Sequence, residues 1–155
     1  MERKTKVHAE EGKQDIIITR EFDLPVELLF TAHVDPAIVE QWMGSKVLKM
    51  ESKKHGSYQL QKTDEKGTVL FGANGVIHEL IPNRAIIRTF EMENTPFGVQ
   101  LENYAFEPLT HDTSRLTIHT IYESVVQRDQ VLKLPFAQGI NFAHNRLQNI
   151  VRQLK

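Results

Sequence analysis

Seven histidines, three tyrosines and no cysteine set the chemistry open to this chain of 155 residues. Without cysteine there is no thiol nucleophile, no thiolate metal ligand and no disulfide, which fits a reducing compartment and an expected cytoplasmic location. The histidines are scattered. His78-Glu79 lacks the second histidine at helical spacing that a zinc helix needs, and His111 and His119 stand eight residues apart across a turn into a strand. They read as surface or hydrogen-bonded histidines, so no metal and no other cofactor is expected. There is no G-x-S-x-G elbow, phosphate-cradling glycine loop, G-x-G-x-x-G fingerprint or H-E-x-x-H helix. No catalytic residue is assigned on these grounds. Tyr104 and Tyr122 stand out instead, because a buried phenol needs a hydrogen-bond partner that a ligand or water can supply.

Those side chains have to be placed by elements whose boundaries are written in the local chemistry. Asp15 to Phe22 is rich in β-branched residues and reads as a strand, which Asp23-Leu24-Pro25 stops. Pro25 suits a first helical turn, where its missing N–H would have had no partner. Val26, Leu28, Leu29, Phe30 and Ala32 supply the apolar stripe of a short helix. Asp35-Pro36 repeats the signal of a capping acid before a first-turn proline, Ile38, Val39, Trp42 and Met43 continue it, and Gly44 is placed as a left-handed C-cap. Two short helices in this position form a notch rather than a bundle.

From residue 47 the chain reads as strands joined by turns: 47–53, 57–63, 68–81, 84–93, 99–107 and 114–124, with turn signals at His55-Gly56, Asp64 to Gly67, Pro82-Asn83, Asn94 to Gly98 and Pro108 to Thr113. The stretch 68–81 is long for one strand, and Asn74-Gly75 inside it reads as a hairpin turn or as a bulge. A terminal helix is expected over 134–153. Leu132, Phe136, Ile140, Ala143, Leu147, Ile150 and Leu154 fall on one side of it, with Gln138, Asn141, Asn145, Gln148, Arg152 and Lys155 mostly on the other. Pro135 removes a helical hydrogen bond, so either the helix proper starts near it or it kinks, with 124–133 as a separate segment. Gly139 costs about 1 kcal/mol relative to alanine in a helix interior, which suggests close approach to the sheet or space left for something else.

Composition narrows the partners. One domain of this size buries roughly 68 to 70% of its unfolded surface and needs no staples. The 19 basic and 20 acidic residues give a formal charge of −1, which disfavours a nucleic-acid partner held by its phosphates. Residues 1–14 carry charge without an apolar core, and are read as a flexible lead-in, neither a secretory signal nor an anchor, to a single domain over 15–155. No apolar run approaches the roughly 20 residues that span a bilayer, and no internal repeat is visible.

Arg20, Phe22, Pro25, Phe30, Asp35, Pro36, Trp42 and Gly44, in this order, match the opening motif of a known family, and over nearly its whole length the chain resembles the Activator of Hsp90 ATPase homologue 1-like family. That family belongs to the START-like (SRPBCC), helix-grip group, which also includes polyketide cyclases and the major birch pollen allergen. The resemblance implies an α+β fold: a curved antiparallel sheet of six to seven strands, two short helices after the first strand, and one long C-terminal helix across the concave face. It also implies one long, bent strand over 68–81, which favours a bulge at Asn74-Gly75.

A sheet curled round a helix rarely closes tightly, and the space between is the expected ligand chamber of such a fold. Strand alternation then nominates its lining: Phe90 and Met92, Tyr104 and Phe106, Ile118, Thr120 and Tyr122 from the sheet, Phe136, Ile140 and Ala143 from the helix, and Trp42 guarding one end. An apolar strand residue under a helix is ordinarily core, and only unfilled volume makes it a binding contact. His78, Glu79, Arg88 and His119 are candidates to enter the chamber as polar groups, although Arg88 reads first as the partner of Glu79 or Glu102 on a solvated sheet face. The leading expectation is a carrier or sensor of a hydrophobic, lipid-like or aromatic, small molecule. A polyketide cyclase- or dehydratase-like enzyme and a chaperone-binding module are the alternatives. In the eukaryotic activator the domain is joined to a separate N-terminal one, for which 155 residues are expected to leave no room. The oligomeric state is not legible.

Overall fold

The computed structural model describes residues 4–154. Strand β2 (Asp15–Phe22) shows strict alternation, with Ile16, Ile18, Arg20 and Phe22 turned inward. Pro25 is the N-cap of α1 (Val26–Val34), one position ahead of the first turn. The carboxylate of Asp35 accepts the Ala37 N–H at 2.9 Å to cap α2 (Pro36–Met43), and Gly44 closes that helix in the left-handed region at φ 68°. The Trp42 indole N–H donates to the Ala32 carbonyl at 2.7 Å, which locks the two helices into the expected notch.

The rest of the sheet follows as β3 (Lys46–Met50), β4 (Ser57–Thr63), β5 (Val69–Ile81), β6 (Ala85–Met92), β7 (Val99–Pro108) and β8 (Ser114–Ile121). All pairs are antiparallel, β2 crosses to lie beside β8, and a short β1 (Lys6–His8) sits at the edge, giving the order β1-β2-β8-β7-β6-β5-β4-β3. The stretch around Asn74-Gly75 is one continuous strand and no hairpin turn, but the expected bulge is not at that pair: the register with β4 and β6 runs unbroken through it, and with β6 it slips between Ile77 and Glu79. Gly75 itself answers to packing. A Cβ there would run into the Thr89 carbonyl and the Tyr58 hydroxyl, which donates to that same carbonyl.

Two expectations are corrected. The described sheet has eight strands, not six to seven, because β1 (Lys6–His8) pairs with β2 inside the segment read as a lead-in, so the short helices follow the second strand. Three residues with one apolar side chain, Val7, carry no periodicity to read, and long-range bonds hold the segment: Thr5 N–H to Asn141 Oδ1 at 3.0 Å and Arg128 Nη1 to the Glu10 carbonyl at 2.6 Å. The first three residues of that lead-in, and Lys155, expected on the polar side of the terminal helix, lie outside the described residues.

Pro135 resolves as a break. Ser124 caps a separate α3 (Val125–Leu132), and α4 runs Phe136–Arg152. Gln148, expected on the polar side of α4, is buried and accepts the Asp23 N–H at 2.9 Å. Leu147 and Val151 in the C-terminal half of α4 are fully buried beside Phe22, Leu24 and Leu29. Phe136, Ile140 and Ala143 in its N-terminal half are only partly covered. One end of the grip is therefore core and the other spans a space.

Candidate functional site

Beneath the N-terminal half of α4 lies a cavity of about 230 Å³. Ten of the eleven nominated residues line it: Trp42 from α2, Phe90 and Met92 from β6, Tyr104 from β7, Ile118 and Thr120 from β8, Tyr122 just beyond, and Phe136, Ile140 and Ala143 from α4. Phe106 does not. It has the inward parity of Tyr104, but α1 covers that end of β7, and Phe106 is core between Phe30 at 5.1 Å and His33 at 5.3 Å between ring centroids.

The cavity is not wholly apolar. Arg88 Nε donates to Glu102 Oε1 at 2.9 Å and its Nη2 to the Tyr104 hydroxyl at 2.8 Å, while Tyr104 donates to Glu102 Oε1 at 3.2 Å and Gln100 Nε2 to Glu102 Oε2 at 2.9 Å. The guanidinium carbon sits 4.7 Å and 4.8 Å from the ring centroids of Tyr58 and Tyr104, a cation held between two aromatic rings. Arg88 does pair with Glu102, but on the concave face rather than a solvated one: the two side chains are 12% and 9% exposed. Burial pushes the Tyr104 and Tyr122 phenols up, so both remain protonated at neutral pH.

Two histidines complete the wall. His33 bonds the Leu29 carbonyl through Nδ1 at 2.8 Å, which requires the proton there and leaves Nε2 a bare acceptor; among the described residues no group meets it. Burial lowers its pKa to about 4 against the opposing Leu29 bond, with the Arg88 charge adding to the effect. Burial likewise lowers His144 to about 3, helped by His33 and Arg20, and its Nδ1 lies 2.8 Å from the Thr5 hydroxyl. Both rings are neutral at pH 7.

The other polar candidates point away. His78 is exposed, Glu79 faces Lys54 at 3.9 Å on the outside, and His119 pairs with Asp15 at 2.6 Å on the convex face. Arg88, Gln100 and Glu102 had a readable signal, since they share strand parity with Phe90 and Tyr104. His144 had one as well, four residues after Ile140 and three before Leu147 on the same helical face. His33 follows Leu29 by one turn, but only the packing of α1 over β7 brings it to the cavity.

An antiparallel sheet gripping one C-terminal helix over a chamber defines the helix-grip fold. Within it, the chain belongs to the family described as Activator of Hsp90 ATPase homolog 1-like protein, whose family model matches residues 23–152. Solved structures of the same fold include a protein from Rhodobacter sphaeroides (TM-score 0.85, 19% identity, covering 96% of this chain and 99% of that one). A protein from Mycobacterium smegmatis is similar at TM-score 0.83 and 21% identity over 95% and 96% of the two chains. CalU16 from Micromonospora echinospora follows at 0.65 and 16% over 99% and 91%. No protein with a curated description matches. Among the described residues no helix is long and apolar enough to cross a membrane.

Proposed function

We propose that the chain binds a small apolar molecule, lipid-like or aromatic, in the chamber between its sheet and α4. The observation that carries this reading is the unfilled volume under a helix half whose apolar face is otherwise only partly covered. A dry void of 230 Å³ would cost on the order of 5 kcal/mol at about 24 cal/mol per Å³, comparable to the whole stability of a small domain. An occupant that fills it offsets that cost. The test is native mass spectrometry of protein purified from its own cells, followed by melting with whatever co-purifies. At a hundred times its dissociation constant a ligand adds about 2.7 kcal/mol, roughly 5 to 10 °C in Tm for a domain of this size. A chain that carries no organic molecule and melts unchanged in a panel of apolar compounds has no such function.

A second reading has its own support: neutral His33 and charged Arg88 line one cavity, the pairing that acid–base chemistry of a cyclase or dehydratase type would use. Turnover of a bound compound by the wild type but not by His33→Gln would favour it. The chaperone reading enters through the family description alone, and an unchanged chaperone ATPase rate on adding the protein removes it.

A further inference from the structure

The floor of the cavity carries a polar row. Arg88 on β6 stands opposite Glu102 on β7, and Glu102 stands opposite Thr120 on β8, so three inward side chains lie side by side across three adjacent strands. Tyr122 follows Thr120 on the same face. Part of this row is spent on itself: Nε and Nη2 of Arg88 on Glu102 and Tyr104, and both carboxylate oxygens of Glu102 on Arg88, Tyr104 and Gln100. Part is not. Among the described residues Arg88 Nη1, the Thr120 hydroxyl and the Tyr122 hydroxyl meet no protein partner, although Thr120 and Tyr122 are each 2% exposed and line the cavity. Three groups able to donate a hydrogen bond thus belong to one chamber whose wall is otherwise mostly aliphatic and aromatic, with Gln100 and the neutral rings of His33 and His144 the other polar members.

Charge narrows the match. Among the described residues Arg88 and Glu102 are the only charged side chains on the wall and cancel each other, and the two histidines there are neutral at pH 7. A carboxylate or phosphate brought onto this floor would bury a net charge with nothing to balance it. A purely hydrocarbon ligand would leave buried donors unpaired. A neutral carbonyl oxygen buries no net charge and, with two lone pairs, can pair with two of the three donors. Size narrows it further: an apolar cavity of about 150 Å³ takes benzene, so 230 Å³ takes roughly nine non-hydrogen atoms, one ring with a short substituent.

We infer that the ligand is a neutral aromatic or alicyclic carbonyl compound, a ketone or ester, seated with its oxygen on the Arg88–Glu102–Thr120 row and its ring under α4. This rests on the cavity reading above and names the chemistry of the same site.

Three probes of nine non-hydrogen atoms each separate the cases: acetophenone, α-methylstyrene, in which a methylene replaces the carbonyl oxygen, and benzoate. Their affinities are measured by calorimetry at pH 7 on the full chain. Acetophenone is expected to bind about tenfold or more tightly than α-methylstyrene, against the hydrocarbon's greater hydrophobicity, and benzoate weakest. Thr120→Val and Tyr122→Phe, each close to isosteric, should erase most of the ketone's advantage and leave the hydrocarbon's affinity unchanged. If α-methylstyrene binds as well as the ketone, the polar-head inference is overturned while the cavity reading stands. If benzoate binds most tightly, the floor selects an anion and the neutral-carbonyl assignment is wrong. If none of the three binds, the cavity reading itself fails.

Discussion

Arg88 and Glu102 face each other at 2.9 Å on the inside of the sheet, nearly out of water, with Tyr104 bonded to both. A pair in that position is held by mutual dependence. Removing one member leaves a buried charge without its counterpart and strips bonds from a tyrosine or a glutamine, so Arg88→Met or Glu102→Gln should each cost about 3 to 5 kcal/mol. The double variant removes both charges and should be substantially more stable than the sum of the single losses predicts. Urea unfolding of the four proteins completes the cycle. If the two losses simply add, the pair is not coupled.

His33 and His144 make stability depend on pH. Both are buried neutral, with pKa lowered by burial to about 4 and about 3 from an ordinary 6.5. Between those values and 6.5 the unfolded chain binds protons that the folded chain refuses. Each histidine then contributes a slope of up to about 1.4 kcal/mol per pH unit, and stability falls as pH drops from about 6.5 towards 4. Above pH 7 the contribution is complete and flat. Melting curves between pH 7.5 and 4.5 should show the decline, and His33→Gln should reduce its steepness by about one proton's worth. A Tm that holds level across this range would mean the rings are solvated.

The parts of this arrangement that were legible beforehand depend on near neighbours in the chain. Asp35, Pro36 and Gly44 mark the ends of α2 by chemistry local to the chain, a carboxylate bonded to the N–H two residues on, a proline in the first turn and a left-handed glycine, and β-parity alone brought Phe90, Tyr104 and Ile118 to one face. Parity cannot say which helix lies above a given strand residue, and so it could not separate Tyr104, in the cavity wall, from Phe106, under α1. Nor could it show that Arg88 is buried, because a charged residue at an inward position looks the same as one on an open face until its partners are known. β1 has too few residues for any period, and its pairing with β2 is a tertiary fact.

Gly139 offers a contrast with Gly75. It occupies the interior of α4, is exposed, has an ordinary helical φ, and a Cβ added there meets no atom within 4 Å. Neither close approach to the sheet nor a neighbouring side chain requires glycine. Gly139→Ala should therefore stabilise the protein by about 0.5 to 1 kcal/mol, read as a shifted urea midpoint at constant slope. Gly75→Ala should be strongly destabilising, since its Cβ would displace the Tyr58 hydroxyl from the Thr89 carbonyl. Finding Gly139→Ala destabilising would show that the outer face of α4 is in use.

Ala143 is the position at which volume can be tested without loss of contacts. It sits on α4 facing the cavity and is partly covered, so a larger side chain can extend into space instead of into packed neighbours. Ala143→Phe adds apolar surface inside a void and removes none. The chain should fold with unchanged or modestly raised stability, by about 1 kcal/mol, because the ring replaces empty or solvated volume. The same ring takes the place a ligand would occupy. Any compound that raises the wild-type Tm should then leave Ala143→Phe unaffected, while the urea slope and circular dichroism of the two proteins coincide. The alternative reading, that the volume is ordinary looseness within the core, predicts the opposite pairing: improved packing in the variant and an equal, weak response of both proteins to every compound tried. A ligand-induced shift that persists in full in Ala143→Phe would locate binding elsewhere on the molecule and remove the chamber from its function.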